Sequence, residues 1–151
     1  MIELILVLFF MALVAGLVTP MVMSTLDRIE LQSSARRIAS AMAYARSQAV
    51  TLKTAFVFEG DLESNQYWVR NTRTDKSSPT TVLDERVRFI QSSNDREFES
   101  DEVFRIKFFP QGNSSGGTLR VEAGDPEDSE EFYVITIDAV TGKAVITQEE
   151  R

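Results

Sequence analysis

Residues 4–23 read LILVLFFMALVAGLVTPMVM and residues 31–52 read LQSSARRIASAMAYARSQAVTL, and the contrast between the two stretches decides the fold. The first holds 17 hydrophobic residues and no charge, interrupted only by Gly16, Thr19 and Pro20. As a helix rising about 1.5 Å per residue it would extend roughly 30 Å, the thickness of a bilayer's hydrocarbon core. A domain of this size does not enclose a helix that is apolar on every face, so the stretch is expected to lie in a membrane or membrane-like environment. A secretory signal peptide would need basic residues before a shorter apolar core, and only Met1, Ile2 and Glu3 precede this one.

In the second stretch Leu31, Ala35, Ile38, Met42, Ala45, Ala49 and Leu52 recur at alternating spacings of four and three, which places them in one stripe along a helix. Arg36, Arg37, Ser40, Ser47 and Lys53 occupy the opposite side. No proline or glycine intervenes between Met21 and Lys53, so the reading is one continuous helix of about 50 residues, apolar all round and then apolar on one side. The alanines of the stripe permit close approach to a flat surface, and the stripe is expected to pack on the protein's own sheet. Pro20 lacks an N–H, and its ring presses on the carbonyl of Gly16, four residues back. The helix is therefore expected to bend or melt between Gly16 and Pro20 where its surroundings permit.

Beyond residue 53 the pattern becomes strand and turn. Residues 54–59 (TAFVFE), 66–71 (QYWVRN), 86–90 (RVRFI), 102–109 (EVFRIKFF), 118–122 (TLRVE), 131–138 (EFYVITID) and 143–147 (KAVIT) are β-branched or aromatic runs between turn-rich segments. In the fourth run Phe104, Ile106 and Phe108 alternate with Val103, Arg105 and Lys107, one set on each face. Residues 60–64 join the first pair of runs, 110–117 (PQGNSSGG) join the fourth to the fifth, and 139–142 (AVTG) close the last hairpin. Connections this short favour antiparallel pairing. Residues 72–80 and 91–101 read as polar loops. The chain thus divides into an apolar helix over 1–23, an amphipathic continuation over 24–53 and an antiparallel β-sheet domain over 54–151.

The 151 residues contain no cysteine and no histidine, which excludes disulfides, cysteine-rich zinc sites, a Ser-His-Asp triad and a histidine base. Residues 122–131 hold six acids and no base, but their spacing matches no twelve-residue calcium loop, and a solvated acidic loop is the simpler reading there and over 95–102. No pair of carboxylates is set apart for hydrolysis. No catalytic residue, metal or cofactor is assigned, and the chain reads as a non-enzyme. A carboxylate at the edge of an apolar segment is costly to bury and implies a partner, which singles out Glu3.

The start of the chain, Ile2-Glu3-Leu4-Ile5-Leu6-Val7-Leu8, resembles the segment that follows the prepilin peptidase cut in the type IV pilin and pseudopilin superfamily. Pro20 stands where many pilins carry a helix-bending proline. Residues 35–42 (ARRIASAM) and 45–50 (ARSQAV) are similar to the helix of the GspH/FimT branch, as are 109–119 (FPQGNSSGGTL) and 137–143 (IDAVTGK) to its later segments. The resemblance implies a pilin-like α+β fold and a minor pseudopilin built into the short periplasmic pseudopilus of a type II secretion system, near its tip. Its partners would be other minor and major pseudopilins, the inner-membrane assembly platform and the prepilin peptidase. It would cross the bacterial inner membrane once, with the sheet domain in the periplasm, and Glu3 would pair with the N-terminal amine of a neighbouring subunit.

Two expectations follow from this resemblance and the charges. Flanking charge alone would put the C-terminal side in the cytoplasm, and a leader upstream of Met1 carrying orienting bases would reverse that. Either such a leader exists and is cleaved with N-terminal methylation, or the chain is not processed by that enzyme. The alternative function is a FimT/FimU-like minor pilin of a type IV pilus, acting in assembly or DNA uptake. Residues 54–151 carry 11 lysines and arginines against 20 acids, a net of −9, and such a surface repels a polyanion.

Overall fold

In the computed structural model of the chain, residues 2–93, 103–123 and 131–150 are described, without the side chains of residues 16–25, 91–93, 131 and 150. A single helix, α1 (Ile2–Leu52), opens the chain. It runs as helix through Gly16 and Pro20. Pro20 forfeits one backbone hydrogen bond, and the flanking turns remain bonded. The side chains at this point lie outside the described residues. The helix stops where Lys53 adopts φ +52°, a left-handed residue that turns the chain without a glycine.

Among the described residues eight strands follow: β1 (Phe56–Asp61), β2 (Gln66–Asn71), β3 (Thr81–Val82), β4 (Val87–Ser93), β5 (Val103–Phe108), β6 (Gly117–Ala123), β7 (Glu131–Ile137) and β8 (Ala144–Glu150). They form two four-stranded sheets, ordered β3-β2-β1-β5 and β4-β6-β7-β8, with every pairing antiparallel. Although residues 110–117 connect β5 to β6, the two strands belong to different sheets. The turn retains only a bridge between Phe108 and Ser114. Residues 91–93, expected as loop, extend β4, whose register shifts between Phe89 and Gln91. Ile90 is the extra residue of a bulge there, and backbone pairing with β6 overrides the polar composition of the segment. The hairpin residue Asn65, at φ +52°, ties the sheets together: its carbonyl accepts from Leu83 N at 2.9 Å and its Oδ1 from Phe89 N at 3.0 Å.

The core lies between α1 and the sheets. Leu31, Ala35, Ile38, Met42, Ala45 and Ala49 are buried against Phe58, Phe104, Ile106 and Phe108 of the first sheet and Leu119, Val121, Ile135 and Ile137 of the second. Three of the helix residues in this cluster are alanines, which permit close approach of helix and sheet. Phe58 stacks on Tyr67 at 5.6 Å and meets Phe104 edge-on at 6.5 Å. Leu52 departs from the expected stripe. It remains 52% exposed, because it is the last helical residue and the chain turns away at Lys53 before the sheet can cover it.

Candidate functional site

Three features stand out once the core is assigned. The first is the beginning of α1, where Ile2, residues 4–11, Leu13 and Val14 are all exposed and nothing among the described residues covers them. Glu3 lies in the first turn, where the unpaired N–H groups of the helix favour a carboxylate. Among the described residues no helix is both long and apolar enough to cross a membrane. The described side chains of this segment end at Ala15, short of the 20-residue apolar run that the sequence contains.

The second feature is a latch built on Arg46. Its Nε donates to the carbonyl of Gly112 at 2.9 Å, in the β5–β6 turn, and to the carbonyl of Thr141 at 2.8 Å, in the β7–β8 turn. One helix residue thereby holds the turn that joins the two sheets and a hairpin turn of the second. Two glycines make the approach possible. Gly112 has φ +91° and Gly142 has φ +62°, and a Cβ on Gly142 would come within 2.5 Å of the Gly112 carbonyl oxygen and 3.1 Å of Arg46 Nε. Asp138 shapes the second turn by accepting from the backbone and hydroxyl of Thr141 at 2.6 and 2.7 Å. Those bonds, outweighing the slight cost of burial, hold its carboxyl below the usual carboxylate range. The helix segment and both glycine-containing turns quoted above thus converge in space. Arg46 itself escaped the stripe analysis because it lies on the stripe's flank, and the legible signal was a base beside two buried alanines.

The third feature is Glu59, 5% exposed on the face of the first sheet turned away from α1. Its Oε1 accepts from Arg70 Nη2 at 2.8 Å and Arg105 Nε at 3.2 Å, and its Oε2 accepts from Arg70 Nε at 3.1 Å and from the indole of Trp68. Burial pushes the Glu59 carboxyl up, but the hydrogen bonds from Arg70 and Trp68, the Arg70 charge and the Arg105 bond together hold it below the usual range. The Arg70 guanidinium is raised in turn, chiefly by its bonds to Glu59 and Asp75. Strand alternation could have placed Glu59 opposite Phe58, but not among these cross-strand donors.

Among the described residues no three His, Cys, Asp or Glu side chains converge on a possible metal position. The acidic stretches are mostly residues 94–102 and 124–130, which lie outside the described residues.

A helical stalk bearing an antiparallel two-sheet head is the pilin-like α+β architecture. The family model of type II transport protein GspH matches residues 34–141, and the chain belongs to that family. The fold is also that of the minor pseudopilin EpsH from the type 2 secretion system of Vibrio cholerae. One EpsH structure has a TM-score of 0.60 at 12% identity, covering 80% of this chain and 97% of EpsH; another has 0.59 at 16%, covering 78% and 92%. The type IV minor pilin FimU of Pseudomonas aeruginosa is similar at a TM-score of 0.55 and 17% identity, covering 81% and 90%. At these identities the likeness is one of fold. No curated protein matches the chain by sequence.

Proposed function

We propose that the chain is a minor pseudopilin, a structural subunit near the tip of the short periplasmic pseudopilus of a type II secretion system, without enzymatic activity. The match to the type II transport protein family over residues 34–141 carries this reading. In it, residues 1–23 form the membrane and filament-core segment, 24–53 the stalk and 54–151 the head. The apolar run 4–23 anchors the chain once in the inner membrane before assembly, and the exposed side chains at the start of α1 are the surface that neighbouring pseudopilins cover. Gly16 and Pro20 are the place where that helix adjusts on leaving the bilayer. The stripe from Leu31 through Ala35, Ile38, Met42, Ala45 and Ala49 holds the head on the stalk. The assembly platform and, given a leader, the prepilin peptidase are the remaining partners.

Glu3 is the test. Glu3→Ala leaves the apolar run intact, so membrane fractionation should be unchanged. If Glu3 pairs with a neighbour's terminal amine inside a helix bundle, its loss leaves that amine buried alone at a cost of about 3–5 kcal/mol. Crosslinking to co-expressed minor subunits should then fall more than about a hundredfold, with loss of secretion. Normal crosslinking and secretion in the Glu3→Ala strain would sink the assembly role. A minor pilin of a type IV pilus is the second reading, because FimU shares the fold. A deletion strain that secretes normally but loses pili would favour it.

A further inference from the structure

The Arg46 latch uses only one edge of its guanidinium group. Nε donates to both turn carbonyls, and neither Nη atom has a hydrogen-bond partner among the described residues. The side chain is half-buried, but neither Nη is sealed from water, so the outer fork of the group faces solvent. That fork is a pair of parallel N–H donors in a fixed plane.

The glycines hold the group in place as closely as the carbonyls do. A Cβ on Gly112 would sit 3.3 Å from Nη2, and one on Gly142 would sit 3.1 Å from Nε. An arginine ordered before a partner arrives loses little rotamer freedom when it docks. Helix residues 38–53 and the turns 109–117 and 138–143 together carry three bases, Arg46, Lys53 and Lys143, against one acid, Asp138. Lys107, on the strand that leads into the first turn, adds another base. Oδ1 of Asp138 is taken by the Thr141 amide and hydroxyl, and Arg46 forms no ion pair among the described residues. One residue before Thr141, Val140 is 82% exposed.

Given the pseudopilin reading, we infer that the outward fork of Arg46 receives one carboxylate, an Asp or Glu side chain of a neighbouring filament subunit, with Val140 in apolar contact beside it. A planar carboxylate accepts from both donors of a guanidinium fork at once. Nucleic acid fits less well, because backbone phosphates are held by many cations that shed counterions and only one guanidinium is fixed here. An ordered arginine near an exposed apolar side chain is the kind of anchor on which interface energy concentrates. Because the same group ties α1 to both turns, a subunit held there grips stalk and head together.

The full chain contains no cysteine, so single cysteines can report its neighbours when it is co-expressed with the other filament subunits. Leu8→Cys, in the exposed apolar helix, reports assembly, and Val140→Cys reports docking at the latch. Both should crosslink to neighbouring subunits, and the peptide captured by Val140→Cys should contain Asp or Glu. Gln111→Glu, at an exposed position next to Gly112, offers the fork a competing carboxylate and should lower the Val140→Cys crosslink about tenfold. Arg46→Lys keeps the charge but not the fork and should lower it about fivefold. Neutralising the captured acid in the partner should also cost about tenfold, with little further loss when combined with Gln111→Glu. The Leu8→Cys crosslink should persist throughout and show that the variants fold and assemble. A Leu8→Cys crosslink without the Val140→Cys one, a captured peptide without acids, or indifference to both Gln111→Glu and Arg46→Lys overturns the carboxylate site and leaves the pseudopilin reading intact. A captured peptide from a secreted protein overturns the assignment to a filament subunit. Absence of both crosslinks overturns the site and the pseudopilin reading together.

Discussion

The two ends of α1 belong to one uninterrupted helix yet answer to different partners. From residue 31 to 49 one residue in every three or four is buried under sheet residues of the same chain, and the far side is polar. From residue 2 to 15 every side chain is exposed, and all but Glu3 are apolar. Helical hydrogen bonding is satisfied equally in both. What differs is the cover of the hydrophobic surface, which the sheets supply for the second half and which is missing among the described residues for the first. A helix whose halves obey these two rules can leave one environment for another without disturbing its own head.

The largest test of that contrast is a cut between the halves. A fragment of residues 25–151 should be soluble, monomeric and folded by circular dichroism and light scattering, whereas the full chain should require detergent. Aggregation of a well-expressed fragment would show that the first half covers something in the head after all.

Next in size is a charge placed on each half. Ile38→Asp buries a carboxylate with no partner in the core and should destabilise the head by about 3–5 kcal/mol in urea titration. Leu8→Asp places the same group on an exposed position of the first half, so the head's unfolding should shift by less than about 0.5 kcal/mol while membrane association weakens. Equal destabilisation by both would erase the distinction.

Smaller effects sharpen how the second half grips the head. Gly142→Ala meets both a left-handed backbone and the Gly112 carbonyl and should cost about 2 kcal/mol. Arg46→Ala strips two carbonyls of their donor and should cost about 1–2 kcal/mol. Because both break the same latch, the double variant should lose less than the sum of the two. Strict additivity would mean that the turns are not coupled through Arg46.

The smallest effect concerns pH and the sheet face that does not touch the helix. The Glu59 carboxyl is held below its ordinary value of 4.5, so it contributes stability above that value, and the contribution is lost as pH falls through the lower folded value. Glu59→Gln should cost about 1–2 kcal/mol near pH 7. The gap between the two proteins should narrow as pH falls below 4.5. A gap that stays constant from about pH 7 to below 4.5 would mean that folding leaves the Glu59 carboxyl unshifted.

The stripe was legible because helical periodicity projects sequence spacing onto one face, and six of its seven members lie under the sheets. Leu52 was not, because periodicity cannot say where tertiary contact ends. Seven of the strands were legible from β-branched and aromatic runs. Thr81–Val82 was too short to register, and residues 91–93 were too polar. Glu3 could be singled out from sequence because its significance rests on a neighbour along the chain, an apolar run. Arg46 and Glu59 could not, because their significance rests on carbonyls and guanidinium groups brought from distant positions.

The amino-acid sequence by itself determined the long helix, its change from all-round to one-sided apolarity, the antiparallel character of the strands and the absence of histidine and cysteine chemistry. These are local or compositional properties, set by periods of a few residues and by which groups are present. Only the tertiary structure decided that the strands divide into two sheets, that β5 and β6 part company across their connecting turn, that one arginine latches both glycine turns, and that a buried glutamate gathers two arginines and a tryptophan on the far side of the first sheet. Each of these depends on long-range pairing and register, which a linear pattern of side chains leaves open until the backbone closes around its core.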